Sequence, residues 1–173
     1  MTADGRRLTA DDRPRPSQVV SSPSSVVPAV ILPATFRDLN QARALERVCF
    51  GPEGWGTLEL FFALLFPNTV RLKAVADDQL VGLVIGDRQP WERMGWVATL
   101  GVLPNYQRRG IGGALLAACE SVLGQPRVRL TVRLSNQAAI ALYRQVGYQR
   151  VSVWHGYYSG GEDGLVMEKT VNN

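Results

Sequence analysis

QRRGIGG, Gln107 to Gly113, stands between an apolar, β-branched run, WVATLGVLP (96–104), and an apolar helical pattern, ALLAACESVL (114–123). The order reads as strand, short turn and helix, with glycines crowded at the helix start. Glycine costs a helix about 0.5–1 kcal/mol relative to alanine, so three in a row of seven residues imply a use for bare backbone. Free N–H groups at a helix N-terminus point outward, the helix dipole adds partial positive charge, and a missing Cβ lets an anion approach. The same glycines are also compatible with a turn that simply packs a helix closely on a strand.

Two phosphate-binding patterns are excluded at this site. A P-loop requires Gly-Lys-Ser/Thr, whereas Gly113 is followed by Ala114 and Leu115. The dinucleotide pattern G-x-G-x-x-G, begun at Gly110, would need glycine where Leu115 stands.

Working outward, short elements alternate. AVIL (29–32) reads as a strand. Asp38 is placed to cap a helix running to about Phe50, with Leu39, Ala42, Leu45 and Cys49 on one face. GPEGWG (51–56) interrupts, and TLELFFALLF (57–66) is a second helix stopped by Pro67 and Asn68. Residues 70–88 read as two strands joined by a tight turn at Asp77-Asp78, and 96–104 as a fourth strand. The helix after Gly110 is expected to bury Ile111, Leu115, Ala118, Cys119 and Val122, with Gly124 at its C-terminal end. RVRLTV (127–132) is a strand, and Asn136 to Val146 a helix with Ala139, Leu142, Tyr143 and Val146 on one face. Two last strands are expected near Tyr148–Tyr157 and Gly164–Lys169. The class is α/β (α+β in stricter schemes): one mixed sheet with helices on both faces.

Composition narrows the function. The 173 residues suit one domain, with 46% apolar and 20% charged residues. The formal charge of +4 suits an anionic small molecule, and no dense Lys/Arg cluster suggests a nucleic-acid groove. No apolar run approaches the roughly 18 residues of a membrane span. Residues 1–28, rich in Pro, Ser, Asp and Arg and without an apolar signal core, read as a disordered leader, leaving 29–173 as the domain and a cytoplasmic location. A transit peptide is disfavoured by Asp4, Asp11 and Asp12. Cys49 and Cys119 read as reduced core residues, and with the single His155 they lack metal-ligand spacing, so no metal is expected.

Gln107-Arg108-Arg109-Gly110-Ile111-Gly112 resembles the Q/R-x-x-G-x-G/A signature of the GNAT superfamily of N-acetyltransferases. LTVRLSNQAAIALYRQVGY (130–148) resembles that superfamily's L-x-V-x-x-x-N-x-x-A-x-x-x-Y-x-x-x-G-F/Y motif at the right separation. The resemblance covers roughly residues 30–169. It implies a mostly antiparallel sheet of six to seven strands with four helices and splayed central strands. It also implies acetyl-CoA as co-substrate. The residues implied to hold it are Leu100, Gly101 and Val102 of a bulged strand and the loop Gln107, Arg108, Arg109, Gly110, Ile111, Gly112 and Gly113. Asn136 completes the set, and Tyr143 is implied as the donor to the departing thiolate. Either arginine is also compatible with a solvated surface charge, and Tyr143 with plain packing.

HGYYSGGEDGLVMEK (155–169) resembles the corresponding segment of protein N-terminal acetyltransferases, especially the bacterial ribosomal-protein N-terminal-alanine group. That likeness implies Tyr157 and Tyr158 as contacts for the acceptor. One position departs: Thr131 stands where those relatives carry a glutamate base, and Trp96 where some carry a tyrosine. His155, Glu162 and Glu53 are left as candidate bases acting through water. The implied reaction is direct acetyl transfer to a primary amine, in the first place the α-amine of a protein or peptide N-terminus. A small amine of the polyamine or aminoglycoside type, and a non-catalytic acyl-CoA sensor, are the alternatives. Monomer and dimer are both compatible with the sequence.

Overall fold

The computed structural model describes residues 29–171. The proposed leader, 1–28, lies outside them. Seven strands form one sheet: β1 (Val30–Pro33), β2 (Thr69–Ala76), β3 (Gln79–Gln89), β4 (Met94–Val102), β5 (Arg127–Arg133), β6 (Gln149–Trp154) and β7 (Gly164–Thr170), ordered β1-β2-β3-β4-β5-β7-β6. Every neighbouring pair is antiparallel except β4 and β5. The helices are α1 (Leu39–Phe50), α2 (Thr57–Leu65), α3 (Ile111–Leu123) and α4 (Gln137–Gln145).

Asp77 and Asp78 both adopt left-handed backbone, φ 50° and 57°, between the paired residues Ala76 and Gln79. This is a two-residue primed turn, whose twist matches that of the strands it joins.

The two faces carry separate cores. On one, α3 and α4 bury Ile111, Leu115, Leu116, Cys119, Leu123, Ile140 and Tyr143 against Val84, Val97, Val128, Leu130, Val132 and Met167. On the other, α1 and α2 bury Ala42, Leu45, Leu60, Ala63 and Leu64 against Leu80, Leu83 and Ile85.

Local differences from the sequence pattern have physical causes. Val122 is 46% exposed rather than buried; Leu116 and Leu123 take the inner face of α3. Asp38 precedes α1 without capping it: its carboxylate turns back to accept from the Thr35 amide (2.8 Å) and to pair with Lys73 (2.6 Å). β6 ends at Trp154, so Tyr157 and Tyr158 lie in the β6–β7 turn and not on a strand. The strand expected to reach Tyr157 therefore stops three residues short of it.

Two features shape the middle of the sheet. Thr99 pairs with Ile85 but Val97 pairs with Gly86, so Ala98 is an extra residue in β4, a β-bulge. β4 and β5 pair only over Met94–Val97 and Arg127–Leu130. Past that point the strands part, and Ala98–Val102 has no strand partner on its β5 side.

Candidate active site

The opening between β4 and β5 is lined by backbone. Leu103 N–H donates to Val81 O at 2.8 Å. By strand alternation Gly101 and Thr99 also face β3, which leaves the N–H and C=O groups of Leu100 and Val102 turned toward the opening. Val102 O is already used: Gln107 Nε2 donates to it at 2.9 Å and Cys49 Sγ at 3.4 Å. Gln107 thus ties the loop to β4, a role inside the protein rather than toward a phosphate.

α3 begins without a side-chain cap. Gly110 stands at its N-cap with φ 81°, a conformation that favours glycine. Ala114 N–H donates to Gly110 O at 3.0 Å, so the amides of Ile111, Gly112 and Gly113 are the first-turn donors with no intrahelical acceptor. A Cβ on Gly112 would lie 3.3 Å from Leu142 and 3.8 Å from Val102. The glycines thus leave the first amides of the helix bare and let α3 pack closely on α4. Arg108 and Arg109 are exposed, Arg108 with φ 60° and Arg109 over the Tyr106 ring at 5.1 Å.

Across the opening, Asn136 caps α4, its side-chain oxygen accepting from Ala139 N–H at 3.0 Å. Tyr143, on the same helix, is buried with its ring 5.9 Å from that of Tyr148. Burial, and then the nearby Tyr158 phenol, push its hydroxyl well above the usual phenol range. It remains a proton-bearing donor at any working pH.

A third group lies on the α1/α2 face, where Arg129, Thr131 and Arg133 of β5 point away from the α3/α4 core. Arg133 pairs with Glu53 of the α1–α2 turn and, at 2.5 Å, with Glu162 of the β6–β7 turn. Its guanidinium also sits 4.2 Å from the centre of the Tyr158 ring. Ser159 Oγ donates to Glu53 at 2.6 Å. One side chain thus braces two turns against each other. The sequence reading passed over Arg133 as a variable letter of the motif; an arginine on an inward strand with acidic residues in both facing turns was the available signal.

The candidate bases fare differently from their sequence reading. Two hydrogen bonds from Ser135 together with Arg133 hold Glu162 down at about 2, too low to take a proton from an amine. Glu53 is tied to the same arginine. His155 is exposed in a turn, its Nδ1 2.9 Å from Asp163, whose other oxygen accepts from Gly156 N–H. All three serve to shape turns. Thr131 Oγ1 is buried with no hydrogen-bond partner.

Glu46 was also missed. It is buried on α1, accepts from Thr99 Oγ1 (2.8 Å) and Trp55 N–H (3.1 Å), and burial raises its carboxyl above the usual range. It links the bulged strand to the α1–α2 turn. An acid on the apolar face of that helix, four residues after Ala42, was its sequence signal. Cys49 and Cys119 are free, and burial pushes their thiols up to about 11 and about 12.

Arg133→Met keeps the stem and removes the charge. Charge-assisted hydrogen bonds contribute about 1.5–3 kcal/mol each, so losing the brace is expected to raise the acceptor KM at least about tenfold with little change in the acetyl-CoA KM. Steady-state kinetics with each substrate varied checks this; equal changes in both would indicate a general packing defect.

Comparison with known proteins agrees with this geometry. Residues 39–148 match the model of the Acetyltransferase (GNAT) family. The N-alpha-acetyltransferase RimI of Mycobacterium tuberculosis is 35% identical over 148 residues, covering 82% of this chain and 92% of that protein. The [ribosomal protein bS18]-alanine N-acetyltransferase of Salmonella typhimurium is 30% identical over 152 residues, covering 83% and 93%. Among solved structures, the ribosomal-protein-S18-alanine N-acetyltransferase of Escherichia coli superposes with a TM-score of 0.75 at 24% identity, covering 84% of this chain and 95% of that one. Arabidopsis thaliana NAA60 with a bisubstrate analogue gives 0.74 at 23%, covering 84% and 100%. With a strand bulged and parted from its neighbour, a glycine-rich helix start that no side chain caps and a sequence match over most of its length, this chain belongs to the GNAT family of acetyltransferases.

Proposed function

We propose that this enzyme transfers the acetyl group of acetyl-CoA to the α-amine of a protein or peptide N-terminus. The observation that supports the acceptor is the braced pair of turns: Arg133, on β5 past the point where it parts from β4, holds Glu53 and Glu162 together and lies over the Tyr158 ring, and a peptide N-terminus entering there would meet both turns. The bacterial relatives, an N-alpha-acetyltransferase and a [ribosomal protein bS18]-alanine N-acetyltransferase, support the same acceptor.

The cofactor assignments rest on fit. The amides of Ile111, Gly112 and Gly113 would take the pyrophosphate, and backbone groups of Leu100 and Val102 would flank the pantetheine and thioester. Asn136, whose side-chain oxygen caps α4, would offer its NH₂ to the cofactor, and Tyr157 and Tyr158 would contact the acceptor. Acetyl-CoA supplies the activated acyl group. The chain's part is to orient the attacking amine in the gap and to place the Tyr143 hydroxyl beside the departing sulfur, whose reference pKa as a thiol is about 8.5. Among the described residues no helix is long and apolar enough to cross a membrane. With two free, buried or half-buried thiols, we place the enzyme in the cytoplasm.

Cofactor binding has a direct readout. Ligand at 100 times its Kd adds about 2.7 kcal/mol to the folded state, or about 5–10 °C in melting temperature for a domain this size. Gly113→Glu should abolish that shift without unfolding the protein. Its Cβ would meet only Leu142 at 3.8 Å, and a carboxylate in a first helical turn is favourable for the helix but repels a pyrophosphate. Differential scanning fluorimetry with and without acetyl-CoA checks both; an unchanged wild-type melting temperature would overturn the assignment, and mass spectrometry of acetylated peptides tests the acceptor.

A further inference from the structure

On the α1/α2 face, helices cover β3 but not the β5–β7–β6 side, yet two groups there are sealed from solvent. Val166 is 1% exposed although it belongs to neither helical core. Thr131 Oγ1, on its register partner across β5 and β7, is buried and unpaired. Their cover is aromatic. Trp96 of β4 and Trp154 of β6 stack at 5.6 Å and 9°, although β5 and β7 lie between their strands.

Register shows what they cross. Trp96 is level with Arg129, and Trp154 with Gly164, which is level with Arg133. The indoles therefore meet over the intervening level of Thr131 and Val166. Tyr157 extends the row, 5.2 Å from Trp154 and 5.0 Å from Tyr158. A Cβ on Gly164 would lie 2.7 Å from Thr131 Cγ2 and 3.1 Å from Tyr157 Cβ, so the layer beneath is already full.

Trp96 is also the second-last β4 residue paired to β5 before the strands part. The residue thus stands one pair before the gap that an acceptor amine must reach. Resting on the N-terminal acetylation reading, we propose that the stacked Trp96–Trp154 pair is the specificity wall for the acceptor's first side chain. It fills the space over Thr131 and admits only small first residues such as alanine, serine or glycine. A bulky side chain has to displace an indole or hold the amine back from the gap.

The test is Trp154→Ala with peptides identical except for the first residue. Misfit of one or two methylenes in a shaped pocket changes kcat/KM by about 10–200-fold, so the ratio of leucine-first to alanine-first peptide is expected to rise at least about tenfold in the variant, with the acetyl-CoA KM unchanged. Trp154 is 40% exposed, and Trp154→Phe, which keeps a ring against Trp96, gives a smaller shift in the same direction should the truncated variant unfold. A uniform fall across all peptides with the ratio unchanged overturns the wall. A wild-type enzyme that modifies no peptide N-terminus overturns the acceptor reading and the wall with it; an active wild type whose ratio does not move in either variant overturns the wall alone.

Discussion

Replacing Tyr143 by phenylalanine is expected to lower kcat by about 10²–10⁴-fold, the usual contribution of a general acid, with little change in acetyl-CoA affinity. The variant keeps the ring that packs near Tyr148 and within the α3/α4 core, so the melting temperature should hardly move. What is lost is one O–H donor. Because burial and the Tyr158 phenol push its pKa up, the wild-type hydroxyl keeps its proton across the working range, and the effect should not depend on pH near neutrality. Steady-state kinetics paired with a melting curve separates the roles: near-normal kcat would make Tyr143 a packing residue.

The second large effect concerns the acceptor's own proton. Thioester attack needs a neutral amine, and Thr131 is no base. With a reference pKa of about 7.8, an α-amine is roughly 30% neutral at about pH 7.4, whereas lysine at about 10.4 is roughly 0.1% neutral. Peptides with a free N-terminus should therefore react at least roughly tenfold faster than the same peptides blocked there and carrying an internal lysine. The sign with pH follows: below the amine pKa the rate falls about tenfold per unit, since the neutral fraction does. Mass spectrometry that locates equal acetylation on lysine would defeat the assignment.

The parts of the fold that were legible in the sequence are those written locally. Glycines at 110, 112 and 113 mark one helix start, Asp77-Asp78 one hairpin turn, and Asn136 the cap of α4, each a backbone requirement met within a few residues. The mostly antiparallel sheet and its parted strands came through the family motifs rather than through periodicity. Arg133 was not legible as a brace because its partners, Glu53 and Glu162, lie in turns on opposite sides of it in sequence and meet only in the fold. Trp96 and Trp154 are separated by two strands and most of a motif, so nothing local joins them. Asp38 shows the converse: a good capping residue by type was claimed by Thr35 and Lys73 instead.

Ala98 sets phase rather than chemistry. Because it is the one residue of β4 with no opposite number on β3, everything after it is turned by half a pleat. That turn carries the Thr99 hydroxyl to Glu46 and aims the backbone of Leu100 and Val102 into the gap. The position is therefore tolerant of which side chain stands there and intolerant of chain length. A deletion at 98 would leave Thr99 level with Ile85 but take away the local bend and extra twist that the bulge gives β4, so the strand would run straight beside β5 and narrow the gap next to an intact QRRGIGG. For this chain, losing one residue from the central strand is a more serious change than several substitutions around it.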